Sequence, residues 1–141
     1  GWDRNSPFGN RTWDFSDPVD QDEAHRLIDY LDPVIVHSAS PCDKLSCMSL
    51  YPSQKSFDRE AYNKSVSMAE FSVEVIRRRE AVGGGGSLEN PWRSRLWKLE
   101  RVLAFFGAIG EPKPGRYFAA PELCAYEIET LSKLKPSIGR R

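Results

Sequence analysis

The chain has 141 residues, of which 40% are hydrophobic and 28% are charged, and its formal net charge is zero. This composition supplies enough apolar side chains for one core, so it favours a single globular domain and excludes wholesale disorder. The zero net charge excludes a global basic field for nucleic acid, although arginines and lysines become frequent after residue 76.

The cysteines indicate a reducing compartment. Cys42, Cys47 and Cys124 are too few and too irregularly spaced for a disulfide framework, and no spacing of cysteine or histidine predicts a metal site. We therefore expect a cytoplasmic or nuclear protein that is not secreted. No apolar run reaches membrane-spanning length, so no membrane partner is expected. Because the chain begins with Gly1 and not Met, we expect residues 1–141 to form one truncated domain.

In the first third of the chain, strands are predicted on either side of a helix. Residues 12–15 are typical of a short strand. Residues 18–31 have apolar side chains at helical spacing, a proline at the start and acidic residues in the first turn. His25 is expected on the exposed face of this helix. A β-branched run at 34–36 predicts a buried strand over 34–38, with His37 packed in the core, and the strand ends in small residues before Pro41.

The rest of the chain continues the alternation of predicted strands and helices. Residues 47–57 form a long polar loop, and 58–80 is the strongest predicted helix, with Asp58 near its start. The glycine-rich run 83–87 fits either a fusion linker or a natural turn, and the strand predicted at 87–91 favours the turn. A helix is then predicted over 91–106, a loop over 111–115, and short strands over 116–119 and 123–126. The order predicts an α/β fold with a mostly parallel sheet and helices on both faces.

Two strand ends carry the candidate chemistry. Cys42 follows the first buried strand and Glu89 ends a later one, so neighbouring parallel strands would bring both side chains to one crevice. A thiolate can add to an electron-poor ring carbon. A carboxyl that shares a proton with the ring nitrogen makes that carbon more electrophilic, and burial keeps such a carboxyl protonated. This pair suits attack on C6 of cytosine, with the carboxyl at N3.

The segment Ser-Pro-Cys-Asp-Lys-Leu-Ser at 40–46 resembles the nucleophile motif of the cytosine-5 DNA methyltransferases. Glu89-Asn90-Pro91 resembles the same family's glutamate motif, in the form found in divergent, phage-like members. The resemblance implies a partial Rossmann-like methyltransferase sheet. It also implies that Cys42 adds to a cytosine flipped out of DNA, that Glu89 assists at N3, and that S-adenosylmethionine donates a methyl group to C5.

Further site residues follow from the same resemblance. Its cofactor-binding candidates are Asp14 and Pro41, and its nucleic-acid-binding candidates are Ser46, Asn90 and Arg116. The family's glycine-rich cofactor motif and its ribose-binding acid have no counterpart here, so the S-adenosylmethionine site is expected to be incomplete. A second chain or an N-terminal segment would complete the fold.

Two other functions stay open. One is a methyltransferase-like domain without catalysis, which binds nucleic acid or a protein partner. The other is a cysteine hydrolase that uses Cys42 and His37, but an odd spacing of five residues along a strand puts these side chains on opposite faces.

Overall fold

The computed structural model describes residues 12–41, residue 45 and residues 58–119. In chain order, these contain α1 (Pro18–Leu31), β1 (Ile35–Ala39), α2 (Arg59–Ala81), β2 (Gly85–Glu89), a 3₁₀ helix (Arg95–Lys98), α3 (Glu100–Phe106), β3 (Gly107–Ala108) and β4 (Glu111–Pro112). Strands β1 and β2 pair in parallel, and β3 and β4 form a small antiparallel pair. The chain is therefore a mixed α/β protein, and its two-stranded parallel sheet is too small to identify a Rossmann-like fold.

The two long helices agree closely with prediction because each has a clear start signal. The carboxylate of Asp17 accepts a hydrogen bond from the Val19 amide (2.9 Å), and Pro18 occupies the first turn of α1. Asp58 caps α2 through the Ala61 amide (3.0 Å). Helix α1 ends at Leu31, and the capping residue Asp32 has a left-handed backbone (φ 44°).

The strand predicted over residues 12–15 is wrong. The Asp14 carboxylate accepts hydrogen bonds from the amide (3.0 Å) and the hydroxyl (2.6 Å) of Ser16, and the Asp14 carbonyl accepts from the Asp17 amide (2.8 Å). These bonds turn the chain directly into α1. The local side-chain hydrogen bonds therefore outweigh the β propensity of the aromatic residues.

The glycine run forms part of the sheet. Strand β2 begins at Gly85, two residues before its predicted start, and Gly83 makes the turn after α2 with φ 86°. A Cβ atom on Gly86 would lie 2.6 Å from Cγ1 of Ile76 and 3.0 Å from Cγ2 of Val36. Helix α2 can thus pack against the sheet at this point because residue 86 has no side chain. The run therefore forms a turn and the first residues of β2, as the turn interpretation predicts.

Only one face of the parallel sheet is covered by a helix of the described residues. Val36, Ser38, Gly86 and Leu88 lie on the face packed against α2 and are partly buried. The opposite face is open, and Ile35 on it is 68% exposed. The prediction of a buried β1 is therefore wrong, and the described helices cover only one of the two faces on which helices were predicted. The β-branched residues are not buried on both sides, because the strand alternates between one covered and one open face.

The segment after β2 divides into shorter elements than predicted. The helix expected over 91–106 is broken at Leu99, whose extended backbone (φ −65°, ψ 138°) separates the 3₁₀ helix from α3. Residues 107–112 contain the β3–β4 pair, part of which was expected to be loop. Residues 116–119 have no regular structure, so the strand predicted there is wrong. The strand predicted over 123–126 lies outside the described residues.

The core lies where α2 meets the C-terminal elements. Its buried members are Leu45, Ala69, Val73, Ile76, Leu96, Val102 and Phe106. His25 is also buried, against the Phe71 ring (centroids 4.9 Å apart), which corrects its predicted exposed position. It occupies the face of α1 that contacts α2. Among the helices of residues 12–41 and 58–119, none has the length and apolar character required to cross a membrane.

Candidate active site at the carboxyl edge of the parallel strands

The predicted juxtaposition of the two strand ends is present. Strands β1 and β2 are nearest neighbours, and Ala39 pairs with Glu89 at their carboxyl ends. Pro41 lies two residues beyond the end of β1. The nucleophile candidate Cys42 and the predicted nucleic-acid contact Ser46 lie outside the described residues. The described part of the site is therefore the Ser40–Pro41 turn, facing the Glu89-Asn90-Pro91 turn.

A side-chain bond joins these two turns. The Asn90 side chain donates a hydrogen bond from Nδ2 to the Ser40 carbonyl (2.8 Å). Its Oδ1 atom is buried and has no partner among the described residues. Asn90, which was predicted to bind nucleic acid, thus holds the β1 turn in place through its amide nitrogen. This role suits asparagine because its carboxamide can donate to one backbone while still offering an acceptor.

Three serine hydroxyls hold the end of β1 against α2. Ser38 donates to Ser72 Oγ (2.6 Å), and Ser40 and Ser72 share a hydrogen bond of 2.9 Å. Ser72 in turn donates to the Met68 carbonyl within α2 (2.9 Å). Each hydroxyl has one proton, so Ser72 satisfies the network by accepting twice and donating once. This network was not predictable from the sequence, because serine also occurs in turns and loops.

The chain is anchored again three residues after Cys42. The Leu45 side chain is fully buried. Its carbonyl accepts hydrogen bonds from the Arg95 amide (2.7 Å) and from Ser94 Oγ (3.3 Å). The residues described on both sides of Cys42 are therefore fixed to β2 and the segment that follows it.

Glu89 lies on the open face of the sheet and not in a buried crevice. Its side chain is 72% exposed, so the burial expected for a proton-sharing carboxyl is absent from the described residues. Its Oε2 atom lies 3.2 Å from Nε2 of His37, and Nδ1 of the same ring lies 2.8 Å from Ser87 Oγ. The His37 side chain is 57% exposed, which corrects its predicted packing in the core.

A cleft of about 680 Å³ opens beside Glu89 and Asn90. This volume falls within the range of roughly 300–1,000 Å³ that is usual for small-molecule sites. Trp92 and Tyr117 line the cleft and are 51% and 90% exposed. Exposed aromatic rings next to hydrogen-bonding side chains can stack on a nucleobase. Neither ring was singled out from the sequence, where an aromatic residue is usually assigned to the core.

Arg116 lines the same cleft, but its guanidinium is bonded to the protein. It forms a two-pronged ion pair with the Glu80 carboxylate, including Nη2 to Oε2 at 2.6 Å. Its Nε donates to the Phe105 carbonyl (3.2 Å), and the guanidinium lies 3.9 Å from the centre of the Phe105 ring. The geometry supports a structural role for Arg116, because its charge is paired with Glu80 and its planar face lies against the Phe105 ring.

The predicted cofactor residues do not fit S-adenosylmethionine. The Asp14 carboxylate forms the turn before α1, and its hydrogen bonds from the Ser16 hydroxyl and amide lower its pKa. Pro41 lines a different cavity, between α1, α2 and β1, of about 110 Å³. That volume is well below the usual size of a site for a drug-sized ligand. The serine hydroxyls in its lining, Ser38, Ser40 and Ser72, already bond to one another.

Comparisons with known proteins found no relative of this chain. No protein-family model, no curated protein and no solved structure has a significant match to this chain. Function must therefore be argued from the strand ends, the cleft and the side chains between them.

Proposed function

We propose that the chain is a cytosine-5 DNA methyltransferase-like domain whose Cys42 adds covalently to an extruded cytosine. The main supporting observation is the pairing of Ala39 with Glu89 at the carboxyl ends of β1 and β2. It brings the turn before Cys42 next to Glu89-Asn90-Pro91, in the arrangement that the motif resemblance implies. The Asn90 bond to the Ser40 carbonyl further supports a fixed spacing between the two turns.

In the proposed addition step, the Cys42 thiolate forms a bond from Sγ to C6 of cytosine. The electron pair of the C5–C6 double bond moves to C5 and is delocalised toward N3, where a proton from the Glu89 carboxyl neutralises it. The product is a covalent adduct with a nucleophilic C5. The aromatic and hydrogen-bonding lining of the cleft supports a base as the substrate, with DNA as the macromolecular partner.

The methyl group would come from S-adenosylmethionine when that cofactor is bound. Asp14 and the cavity beside Pro41 do not fit the cofactor. We therefore assign none of the cofactor contacts to the described residues. A second chain, or a further segment of this one, would have to supply them.

This misfit also favours a second candidate function. A methyltransferase-like domain that binds nucleic acid without transferring methyl groups needs the cleft and its exposed aromatic rings, but no cofactor site. Trp92 and Tyr117 would then stack on unpaired bases, and Cys42 would have no catalytic task.

Two DNA probes separate these functions. DNA with 2-pyrimidinone at the target position lacks the 4-amino group, so its C6 is electrophilic enough to capture a thiolate without methyl transfer. DNA with 5-fluorocytosine forms a stable adduct only after a methyl group has been added to C5. The protein is incubated with each probe, with and without S-adenosylmethionine, and adducts are resolved by denaturing electrophoresis and mass spectrometry.

The proposal predicts a 2-pyrimidinone adduct on Cys42 that is absent from Cys42→Ser and retained in Cys47→Ser, the matched thiol control. A 5-fluorocytosine adduct would show, in addition, that the protein has a working methyl-donor site. Binding of single-stranded DNA without any adduct, and with the same affinity in Cys42→Ser, would support the second candidate and overturn covalent catalysis.

A further inference from the structure

The open face of the parallel sheet carries three polar side chains in mutual contact. His37 Nδ1 lies 2.8 Å from Ser87 Oγ, and His37 Nε2 lies 3.2 Å from Glu89 Oε2. In the sheet register, His37 pairs with Ser87, and Glu89 is two residues further along the same strand face. The imidazole thus bridges two side chains of the neighbouring strand. We infer that His37 is the positioning residue for Glu89, an inference that rests on the function proposed above for that carboxyl.

The donors and acceptors in this cluster admit a consistent assignment. A carboxylate only accepts hydrogen bonds, so Nε2 of His37 must carry a proton to bond Glu89. In the neutral ring Nδ1 then accepts, and the Ser87 hydroxyl donates to it. If the ring becomes doubly protonated, the Ser87 hydroxyl rotates and accepts instead. Ser87 therefore keeps the imidazole oriented in either protonation state, with the Nε2 proton directed at Glu89.

With His37 in its Nε2–H form, this arrangement decides which oxygen of a protonated Glu89 carries the acid proton. Oε2 faces an N–H donor, so a proton on that oxygen would oppose the His37 proton. The acid proton therefore belongs on Oε1, for which the structure describes no hydrogen bond. Oε1 is then the oxygen that donates to N3 of the base in the proposed addition. His37 never touches the base and acts through the carboxyl.

Stability does not explain the cluster. With side-chain exposures of 57% and 72%, the His37–Glu89 pair is solvated, and such pairs contribute little to folding. Loss of His37 should therefore change the reaction much more than it changes the fold. Ile35 provides a matched control, because it lies on the same strand and the same open face, is 68% exposed, and is not part of the cluster.

The first measurement is the tautomer of His37, observed by NMR on protein with ¹⁵N-labelled histidine. The chain has two histidines, and buried His25 serves as an internal reference. We expect the Nε2–H form in the wild type and in Ser87→Ala. In Glu89→Leu the acceptor of the Nε2 proton is lost, so the Nε2 and Hε2 signals of His37 should shift. Unchanged His37 signals in Glu89→Leu would overturn the inference, whatever the outcome of the activity assays.

The second measurement is the rate of adduct formation with 2-pyrimidinone DNA. His37→Leu should slow it about tenfold, as expected for loss of one hydrogen bond. His37→Gln, which keeps an N–H donor near the Nε2 position, should restore most of the rate. Ile35→Ala should match the wild type, and urea unfolding midpoints should be the same for all four proteins.

The possible failures are distinguishable. Equal rates in the wild type and His37→Leu would overturn the positioning role and leave Cys42 catalysis intact. If the wild type itself forms no adduct, the proposed function fails and the positioning role fails with it. The NMR result would then still report whether His37 and Glu89 are bonded.

Discussion

Replacing Gly86 with alanine tests whether α2 is packed as closely on β2 as the structure indicates. The added Cβ would lie 2.6 Å from Cγ1 and 3.0 Å from Cγ2 of Ile76. Ile76 is fully buried and β-branched, so its γ carbons cannot rotate away freely. Overpacking of this kind typically costs about 1–3 kcal/mol.

The neighbouring glycine provides the control. A Cβ on Gly85, in the same strand, would meet nothing within 4 Å. Gly→Ala also restricts the unfolded chain, which stabilises by about 0.4–1 kcal/mol at a compatible site. Because this gain is common to both variants, the difference between Gly86→Ala and Gly85→Ala isolates the packing cost. We expect Gly86→Ala to be less stable than Gly85→Ala by about 1–3 kcal/mol.

Urea unfolding followed by circular dichroism measures both free energies, and a double-mutant cycle identifies the cause. Ile76→Ala removes the γ carbons that would clash, so Gly86→Ala should cost clearly less in that background, even though the Ile76→Ala cavity itself destabilises by about 2–5 kcal/mol. Equal stabilities of the two glycine variants, or strict additivity with Ile76→Ala, would refute the close packing of α2 on β2.

Three further predictions concern buried or half-buried polar side chains. Ser72→Ala leaves the hydroxyls of Ser38 and Ser40 without their shared acceptor and should destabilise by about 1–3 kcal/mol, whereas Ser65→Ala, whose hydroxyl donates to the Ala61 carbonyl one turn earlier in α2, should cost less; urea unfolding compares them. Arg116→Lys should not recover the stability lost in Arg116→Ala, because lysine cannot form the two-pronged ion pair or stack on Phe105; recovery in thermal unfolding would contradict this. Burial, followed by the charge of Arg78, lowers the pKa of His25 in the folded protein. The free energy of unfolding should therefore be highest above pH 6.5 and should fall as the pH drops through the lower folded pKa. This decline should flatten in His25→Gln.

The two strand ends of the candidate site were predictable because they depend on local signals. A β-branched run before Pro41 and a second strand before Pro91 identify two strand ends, and α2 between them makes parallel pairing the natural connection. The contacts of the site were not predictable in the same way. The bond from Asn90 to the Ser40 carbonyl joins residues 50 positions apart, and its formation depends on the register between β1 and β2.

Exposure was the property that sequence patterns predicted least well. His25 was expected at the surface and is buried, whereas His37 was expected in the core and is exposed. Histidine is amphipathic, so the residue type does not decide between the two environments. His25 is buried because it lies on the face of α1 that contacts α2. His37 is exposed because it lies on the face of β1 that no described helix covers.

The sequence by itself determined the starts of α1 and α2, because the Asp17, Pro18 and Asp58 signals act within a single helical turn. It also determined that Pro41 follows one strand and that Glu89 ends another. Only the tertiary structure decided that those strands are neighbours in register, that Gly86 admits α2, and that His37 reaches Glu89. The physical reason is distance along the chain: hydrogen-bonded caps are local, whereas packing and cross-strand contacts form only after remote segments have met.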